Sequence, residues 1–420
     1  MIDCSIDKLV FGGQGFGTFD GKKVFAWNAL PGEEAVIWTH KMKRDYIEGV
    51  ALEIKKSSPD RQEPLEEHFL SCSPWQVLKY TAENKWKSVI ANETFQRFAG
   101  ISLPNMRIVH TSDQIHYRNK MEYSVTDHDG KISLAFYRRG MHKKTSISGC
   151  VLAPDVINKA AEEVIAYVNN TSLVSDDIKS IILRSTLAGT VHAALFVKTK
   201  GIHPADADAF SHMERFKQYY SNPERSTSTP DELLYESSDA HLSESVFGKR
   251  FTYDVLSFFQ VNLPLFEKCL AKMQEYIQHD EVVDYFCGAG VIGITLSDHI
   301  HKCILIESDE SLASFAGENI RLNGLDNYTV ISGKAEKLLE EIKTDRVIIF
   351  DPPRPGLHHK TVRRIIEEKP KRIMYLSCNV STQARDIGLL LPYYSLVFNE
   401  LYNFFPRTPH IESLCILDRK

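Results

Sequence analysis

The sequence predicts an α/β protein in three parts: a small closed β-barrel over residues 1–58, a mixed α+β domain over 61–250, and a doubly wound parallel sheet over 254–420. Three observations carry this reading. Short alternating strands with glycine corners open the chain, an irregular mixture follows, and from about Asp254 strand and helix patterns alternate regularly. A chain of 420 residues also exceeds what one ordinary core organises. With 43% apolar and 25% charged residues its composition is that of a globular protein.

The first part shows strand patterns at Lys22–Trp27, Glu34–Trp38 and Tyr46–Ile54, with turns at Gly12-Gly13, Gly15, Gly17 and Asp20-Gly21. Ser57-Ser58-Pro59-Asp60 reads as its exit linker. In the middle part the pattern predicts a helix over Gln76–Phe98, strands over His116–Tyr123 and Lys131–Arg138, a helix after Pro154, and strands over Ile178–Ser185 and Val191–Thr199. The polar run Ser221–Pro230 reads as a surface loop. In the last part, apolar runs at Val282–Phe286, Cys303–Ile306, Tyr328–Ile331, Val347–Phe350 and Ile373–Leu376 alternate with helical stretches such as Ser311–Asn323. Ligands of such sheets gather at the carboxyl ends of the strands.

The start of the chain carries no basic region followed by an apolar stretch, and no run has membrane-spanning length, so a cytoplasmic protein without membrane association is expected. Eight scattered cysteines without a C-x-x-C pair argue for reduced thiols. The formal net charge of -5 hides a local excess: between Lys79 and Cys150 twelve Lys/Arg face six Asp/Glu. Such a surface attracts phosphate, although an ordinary solvated face would give the same count.

The chemistry concentrates after residue 254. Asp284-Tyr285-Phe286-Cys287-Gly288-Ala289-Gly290-Val291-Ile292-Gly293 holds G-x-G-x-x-G between a strand and a helix, where missing side chains let a ligand approach the backbone. Glu307 ends the next strand, where a carboxylate can accept both ribose hydroxyls. Both features suit a dinucleotide or S-adenosylmethionine. Asp351-Pro352-Pro353-Arg354 ends the fourth strand and resembles the substrate-side loop of class I methyltransferases. Amine methylation goes with an aromatic after the prolines; here Arg354 follows instead. Cys378 then closes the run Ile373–Ser377, as a free cysteine that is either a small core residue or a nucleophile.

Phe259-Gln260-Val261-Asn262, the glycine loop, Asp351-Pro352-Pro353-Arg354, Ser377-Cys378-Asn379 with Ala384-Arg385-Asp386, and Phe405 to Ser413 together resemble the RNA uracil-5-methyltransferase family, in order and over most of the last 165 or so residues. The first 58 residues resemble the OB-like TRAM barrel of its ribosomal RNA branch, and weaker likeness runs through Tyr117–Lys120 and Gly149–Pro154.

The resemblance implies a Rossmann-like methyltransferase sheet using S-adenosylmethionine, lined by Gln260, Phe286, Gly288, Gly290, Glu307 and Asp351. It implies Cys378 as the nucleophile that adds to uracil carbon 6 and Glu412 as the base that removes the carbon-5 proton. His410 either supports Glu412, positions the ring, or is structural. The partner implied is RNA with a flipped uridine, ribosomal RNA ahead of the T-loop of tRNA, acted on by a monomer. A non-catalytic RNA-binding homologue is the alternative, against which the presence of both Cys378 and Glu412 speaks. Cytosine methylation would call for a cysteine in the Asp351 loop, which has none, and a nicotinamide oxidoreductase would explain only the glycine loop and Glu307.

Many barrel-bearing relatives carry an iron–sulfur cluster on a local C-x-x-x-x-x-C-x-x-C run and one distant cysteine. Here Glu66, Cys72 and Trp75 stand in the run and Cys150 at the distant position. Tryptophan cannot ligate iron, so neither a four-thiolate cluster nor any other metal is expected, and Cys72 and Cys150 read as remnants that pack together. Pro409 and Val291 depart from the family's glycine and asparagine.

Overall fold

The computed structural model describes residues 1–104, 106–141, 143–200 and 210–420. Its contacts divide into two units: Met1–Glu83 with Asp113–Leu242 and Pro406–Pro409, and Asn84–Ser112 with Ser243–Phe405 and His410–Lys420.

The first unit holds a closed barrel in the order Ile2–Leu9, Gly15–Phe19, Lys22–Trp27, Tyr46–Lys56, Glu34–Met42. Alternation turns Cys4, Ile6, Val24, Ala26, Ile37 and Ile47 inward to form its core. Closure crowds the backbone. A side chain at Gly17 would begin 2.1 Å from the Ser5 carbonyl oxygen, and one at Gly49 2.5 Å from that of Trp38. Buried Glu33 seals the exit from the barrel: it accepts hydrogen bonds from the Leu30 and Ser58 amides and, at 2.6 Å, from Arg61 Nε.

The same unit contains a seven-stranded sheet in the order Glu232–Glu236, Arg215–Tyr220, Val191–Val197, Ile178–Ser185, Lys120–His128, Lys131–Tyr137, Lys144–Ser146. The helix Asp155–Asn169 buries Ile157, Ala160, Ala161, Val164 and Val168 in the core beneath it. Two expected boundaries move. The strand expected from His116 begins at Lys120, because His116 takes a φ of 56° and gives its amide to the Val151 carbonyl rather than to a ladder. The helix expected from Gln76 begins at Tyr80, since Gln76 and Leu78 close turns onto Ser73 and Trp75. The run Ser221–Pro230 contains no regular element.

The second unit is built on eight strands in the order Tyr328–Ser332, Ile300–Glu307, Asp280–Tyr285, Val347–Phe350, Arg372–Ser377, Glu412–Arg419, Tyr394–Tyr402, Ile108–Val109. The five runs singled out in the sequence pair in parallel. Glu412–Arg419 then enters antiparallel, in a register ending at Ser377↔Ser413. Ile108–Val109 adds a two-residue edge that the sequence pattern did not suggest. Among the described residues, no helix is long and apolar enough to cross a membrane.

Candidate active site

The glycine loop leaves the strand Asp280–Tyr285 through a sharp backbone reversal. Phe286 takes a φ of 63°, Gly288 57° and Gly290 84°, and Gly290 caps the helix Val291–Thr295. A Cβ at Gly288 would meet nothing nearer than the Phe258 carbonyl oxygen at 4.0 Å, so the loop presents open backbone beside the Phe258–Gln260 segment. At Gly290 and Gly293 the space is filled instead by Ile294 and Leu305. Asp284 lies beneath the loop and accepts the Gly293 amide at 3.0 Å. Complete burial pushes its carboxyl up to about 8, with Asp351 and Glu307 adding to the rise and the Gly293 amide opposing it.

Glu307 ends the neighbouring strand. One carboxylate oxygen accepts the Ser308 and Asp309 amides at 2.6 and 2.8 Å, and the other accepts the Gly288 amide at 3.0 Å. Each carboxylate oxygen has two acceptor positions. Glu307 is therefore oriented while still able to accept a hydroxyl. Open backbone at Gly288 beside this carboxylate fits the ribose end of S-adenosylmethionine. Gln260 is half-buried, next to Phe259, which stacks on Tyr253 with centroids 4.2 Å apart; Asn262 donates to the Phe404 carbonyl at 3.2 Å.

Asp351, Cys378 and Glu412 meet at the carboxyl ends of the central strands. The antiparallel register ending at Ser377↔Ser413 places Cys378 opposite Glu412 one residue further on. Burial pushes the Asp351 carboxyl up to about 7. Glu412, only 4% exposed, is raised well above the usual carboxylate range by burial and then by Asp351, with Arg354 acting in the opposite direction. The half-buried Cys378 thiol is pushed up to about 12, first by burial, then by Glu412 and Asp351, again against Arg354. The site thus collects three acids and one cation in a poorly solvated space, where carrying more than one negative charge is costly.

Residues around the thiol hold the two reacting loops together. Asn379 caps the helix Val380–Leu390 through the Ser381 amide and donates to the Arg354 carbonyl at 2.9 Å. Thr382 donates to the same carbonyl at 3.1 Å, and Arg385 to that of Pro355 at 3.1 Å. Buried Asp386 accepts from Tyr375 and from the Leu357 amide, both at 2.9 Å. Ser377, Asn379 and Arg385 all spend hydrogen bonds on neighbouring backbone carbonyls. The bridging part played by Thr382 has no sequence signal beyond adjacency to the motif, whereas Asp386 stands within the Ala384-Arg385-Asp386 run. His410 is exposed and meets the Phe405 ring edge-on at 5.6 Å.

The basic stretch is not uniformly a surface. Lys87 is buried and donates to Asn403 at 2.6 Å and to the Phe405 carbonyl at 3.1 Å. Arg139 covers Trp27 at 4.1 Å and donates to the Leu70 carbonyl. Lys79, Lys85 and Arg97 are exposed.

A family model described as tRNA (uracil-5-)-methyltransferase matches residues 79–420. An uncharacterized RNA methyltransferase of Enterococcus faecalis is 29% identical over all of this chain and 97% of its own length. Another, from Fusobacterium nucleatum, is 27% identical over all of this chain and 96% of its own. Among solved structures, Pyrococcus abyssi tRNA (uracil-54, C5)-methyltransferase in complex with S-adenosyl-L-homocysteine superposes with a TM-score of 0.80 at 22% identity, covering 99% of this chain and 100% of that one.

Proposed function

Because the chain belongs to the tRNA (uracil-5-)-methyltransferase family, and is thus an S-adenosylmethionine-dependent enzyme methylating carbon 5 of uracil in RNA, we propose that it works through a covalent Cys378 adduct on a flipped uridine of 23S ribosomal RNA. The observation that carries this reading is the register that sets Cys378 opposite Glu412, with Asp351 coupled to both.

Carbon 5 of uracil is a weak nucleophile. When Cys378 adds as thiolate to carbon 6, the ring becomes an enolate whose carbon 5 attacks an electrophilic methyl group. S-adenosylmethionine supplies that methyl as a sulfonium and departs as the neutral thioether. Glu412, ionised, takes the carbon-5 proton, and the electron pair left behind expels the Cys378 thiolate and restores the ring. Gln260, Phe286, Gly288, Gly290, Glu307 and Asp351 hold the methyl donor. A stacked uracil hides carbon 6, so the base is drawn out of a loop. The barrel and the exposed members of the basic segment take the RNA backbone, and the enzyme acts as a cytoplasmic monomer.

The barrel favours ribosomal RNA. The second reading is the T-loop of tRNA, which the description of the matching family favours. Both are tested with 5-fluorouridine transcripts of 23S RNA segments and of tRNA, in the presence of S-adenosylmethionine. Fluorine cannot leave as a proton, so an adduct stable to denaturation is expected with ribosomal RNA and absent from Cys378→Ala. Adduct with tRNA alone moves the substrate to the second reading; no adduct with either, or an adduct surviving Cys378→Ala, refutes the mechanism. On ordinary uridine, Glu412→Gln is expected to accumulate the methylated adduct with turnover reduced by about 100-fold or more.

A further inference from the structure

The first unit brings together four donor groups that the methyl-transfer site does not use. Glu66, His68, Cys72 and Cys150 place one ligand atom each within 4.8 Å of all the others. His68 Nε2 lies 3.3 Å from a Glu66 carboxylate oxygen without hydrogen-bond geometry, and Cys72 Sγ lies 3.8 Å from the other. Donors at 2.0–2.3 Å around one tetrahedral ion stand about 3.3–3.8 Å apart. The His68–Glu66 edge therefore matches a single ion, and the remaining donors lie within 4.8 Å of it.

The groups around the donors are fixed as metal ligands require. Gln76 donates to Glu66 at 3.0 Å, and the Val151 amide donates to its other oxygen. Ser73 Oγ lies 3.0 Å from Cys72 Sγ. Asn158 grips Cys150 from both sides, accepting its amide at 3.1 Å and donating to its carbonyl at 3.2 Å. A cavity of about 840 Å³ lined by Glu66, His68, Ser146, Gly149 and Cys150 provides an entry path.

The iron–sulfur cluster carried by many relatives does not fit. Trp75, in the third position of the local run, is buried and spends its indole N–H on the Gly13 carbonyl at 2.9 Å. Only two thiolates remain, and His68 stands at a spacer position of that run, not at one of its three ligand positions. Two thiolates, an imidazole and a carboxylate are the donor set of a closed, redox-inactive zinc site.

We propose that Glu66, His68, Cys72 and Cys150 bind one zinc ion, which ties the loop before the helix Asp155–Asn169 to the turn around Phe69–Cys72. This replaces the sequence expectation of two remnant cysteines and no metal. It is independent of the methylation mechanism, because its readout is the metal itself.

The full chain, purified without a metal-chelating tag, is analysed for elements and for acid-labile sulfide. One zinc per chain, without iron or sulfide, is expected. Zinc is then exchanged for cobalt. The expected spectrum shows intense visible bands of tetrahedral cobalt and a near-ultraviolet thiolate charge-transfer band sized for two sulfurs; it decides the matter even if ligand variants fold poorly. Cys72→Ser with Cys150→Ser should abolish stoichiometric zinc, and Gln76→Ala, which removes no ligand, should weaken zinc binding about 10-fold or more. Iron with sulfide, a Cys72–Cys150 disulfide in the purified chain, an octahedral cobalt spectrum, failure to take up offered zinc, or zinc retained by the double variant would each overturn the proposal.

Discussion

The reactivity of Cys378 as a function of pH tests the electrostatics of the site without RNA. With its thiol pushed up to about 12, thiolate at pH 8 is about one part in 10,000, against about one in four for an ordinary thiol near 8.5. A more basic thiolate is also a better nucleophile: a Brønsted slope of about 0.4–0.5 over about 3.5 units returns about 25–55-fold. The net expectation is alkylation by iodoacetamide about 40–100-fold slower than for the same peptide in the unfolded chain. Shape with pH is more decisive than rate. From pH 7 to 10 the folded thiol should accelerate about 1,000-fold and the unfolded reference only about 30-fold, levelling off near pH 9.

Glu412 modifies this curve with a definite sign. Its carboxyl is raised, so it is neutral at low pH and ionises as pH increases, holding the thiol up further. Glu412→Gln should therefore leave the acidic limb unchanged and speed alkylation on the alkaline limb. The assay is peptide-level mass spectrometry of the Cys378 peptide after timed labelling. A plateau by pH 9 in the folded enzyme, or an unchanged alkaline limb in Glu412→Gln, refutes the coupling. On the proposed mechanism, a cationic methyl donor bound beside the site would favour the thiolate form of Cys378.

Three further changes probe the scaffold. Gly290→Ala forces a side chain onto a φ of 84° with its Cβ 2.8 Å from Ile294 Cδ1 and 3.0 Å from Leu305 Cδ1, so a loss of about 1–3 kcal/mol in urea unfolding is expected together with weaker S-adenosylmethionine binding by calorimetry. Asp386→Ala strands the Leu357 amide and the Tyr375 hydroxyl; kcat should fall by more than the affinity for S-adenosylmethionine, and an equal fall in both would show that it does not act through the Asp351 loop. Asp284 is protonated in the folded state up to about 8 but only to about 4 when unfolded, so stability should drop as pH rises between these values, by up to about 5 kcal/mol. Asp284→Asn should flatten that decline in melting temperature, and an unchanged slope would assign it to other groups.

The glycine loop after the strand Asp280–Tyr285 and the strand-end positions of Asp351 and Cys378 were legible because each sits in a short motif that follows an apolar run. Strands that alternate or run apolar over four or more residues were legible for the same reason. What escaped depends on partners distant in sequence. Ile108–Val109 is too short to show a period, and it becomes a strand only by pairing with Leu401 and Tyr402. Lys87 counts as a basic surface residue until Asn403 and the Phe405 carbonyl enclose it. His68 stands at a spacer position of the local run, four residues before Cys72, and only the fold brings Cys150 to them. The positive φ at Phe286 carries no sequence signal, since such a conformation is ordinarily left to glycine or asparagine.

The direction of one strand accounts for the position of the proposed base. In a parallel sheet only carboxyl ends of strands reach the ligand face, so Glu307, Asp351 and Cys378 all lie at or just beyond such ends. Glu412 opens its strand, and in a parallel strand it would lie on the opposite edge of the sheet. Because Glu412–Arg419 runs antiparallel to Arg372–Ser377, its first residue falls beside Cys378 instead. Tyr394–Tyr402 pairs on the other side, with Tyr402 opposite Glu412, so the carboxyl is covered from both flanks and burial raises it well above the usual carboxylate range. A carboxyl in its protonated form cannot take a second proton. Protonated Glu412 must first lose its own proton, and Asp351, the carboxyl that adds to its rise, is itself raised to about 7. On the proposed mechanism, Asp351 would then belong to the proton inventory of the reaction. Asp351→Asn should shift the pH dependence of methyl transfer as well as weaken cofactor binding, and a pure binding defect with an unmoved pH profile would remove it from that inventory.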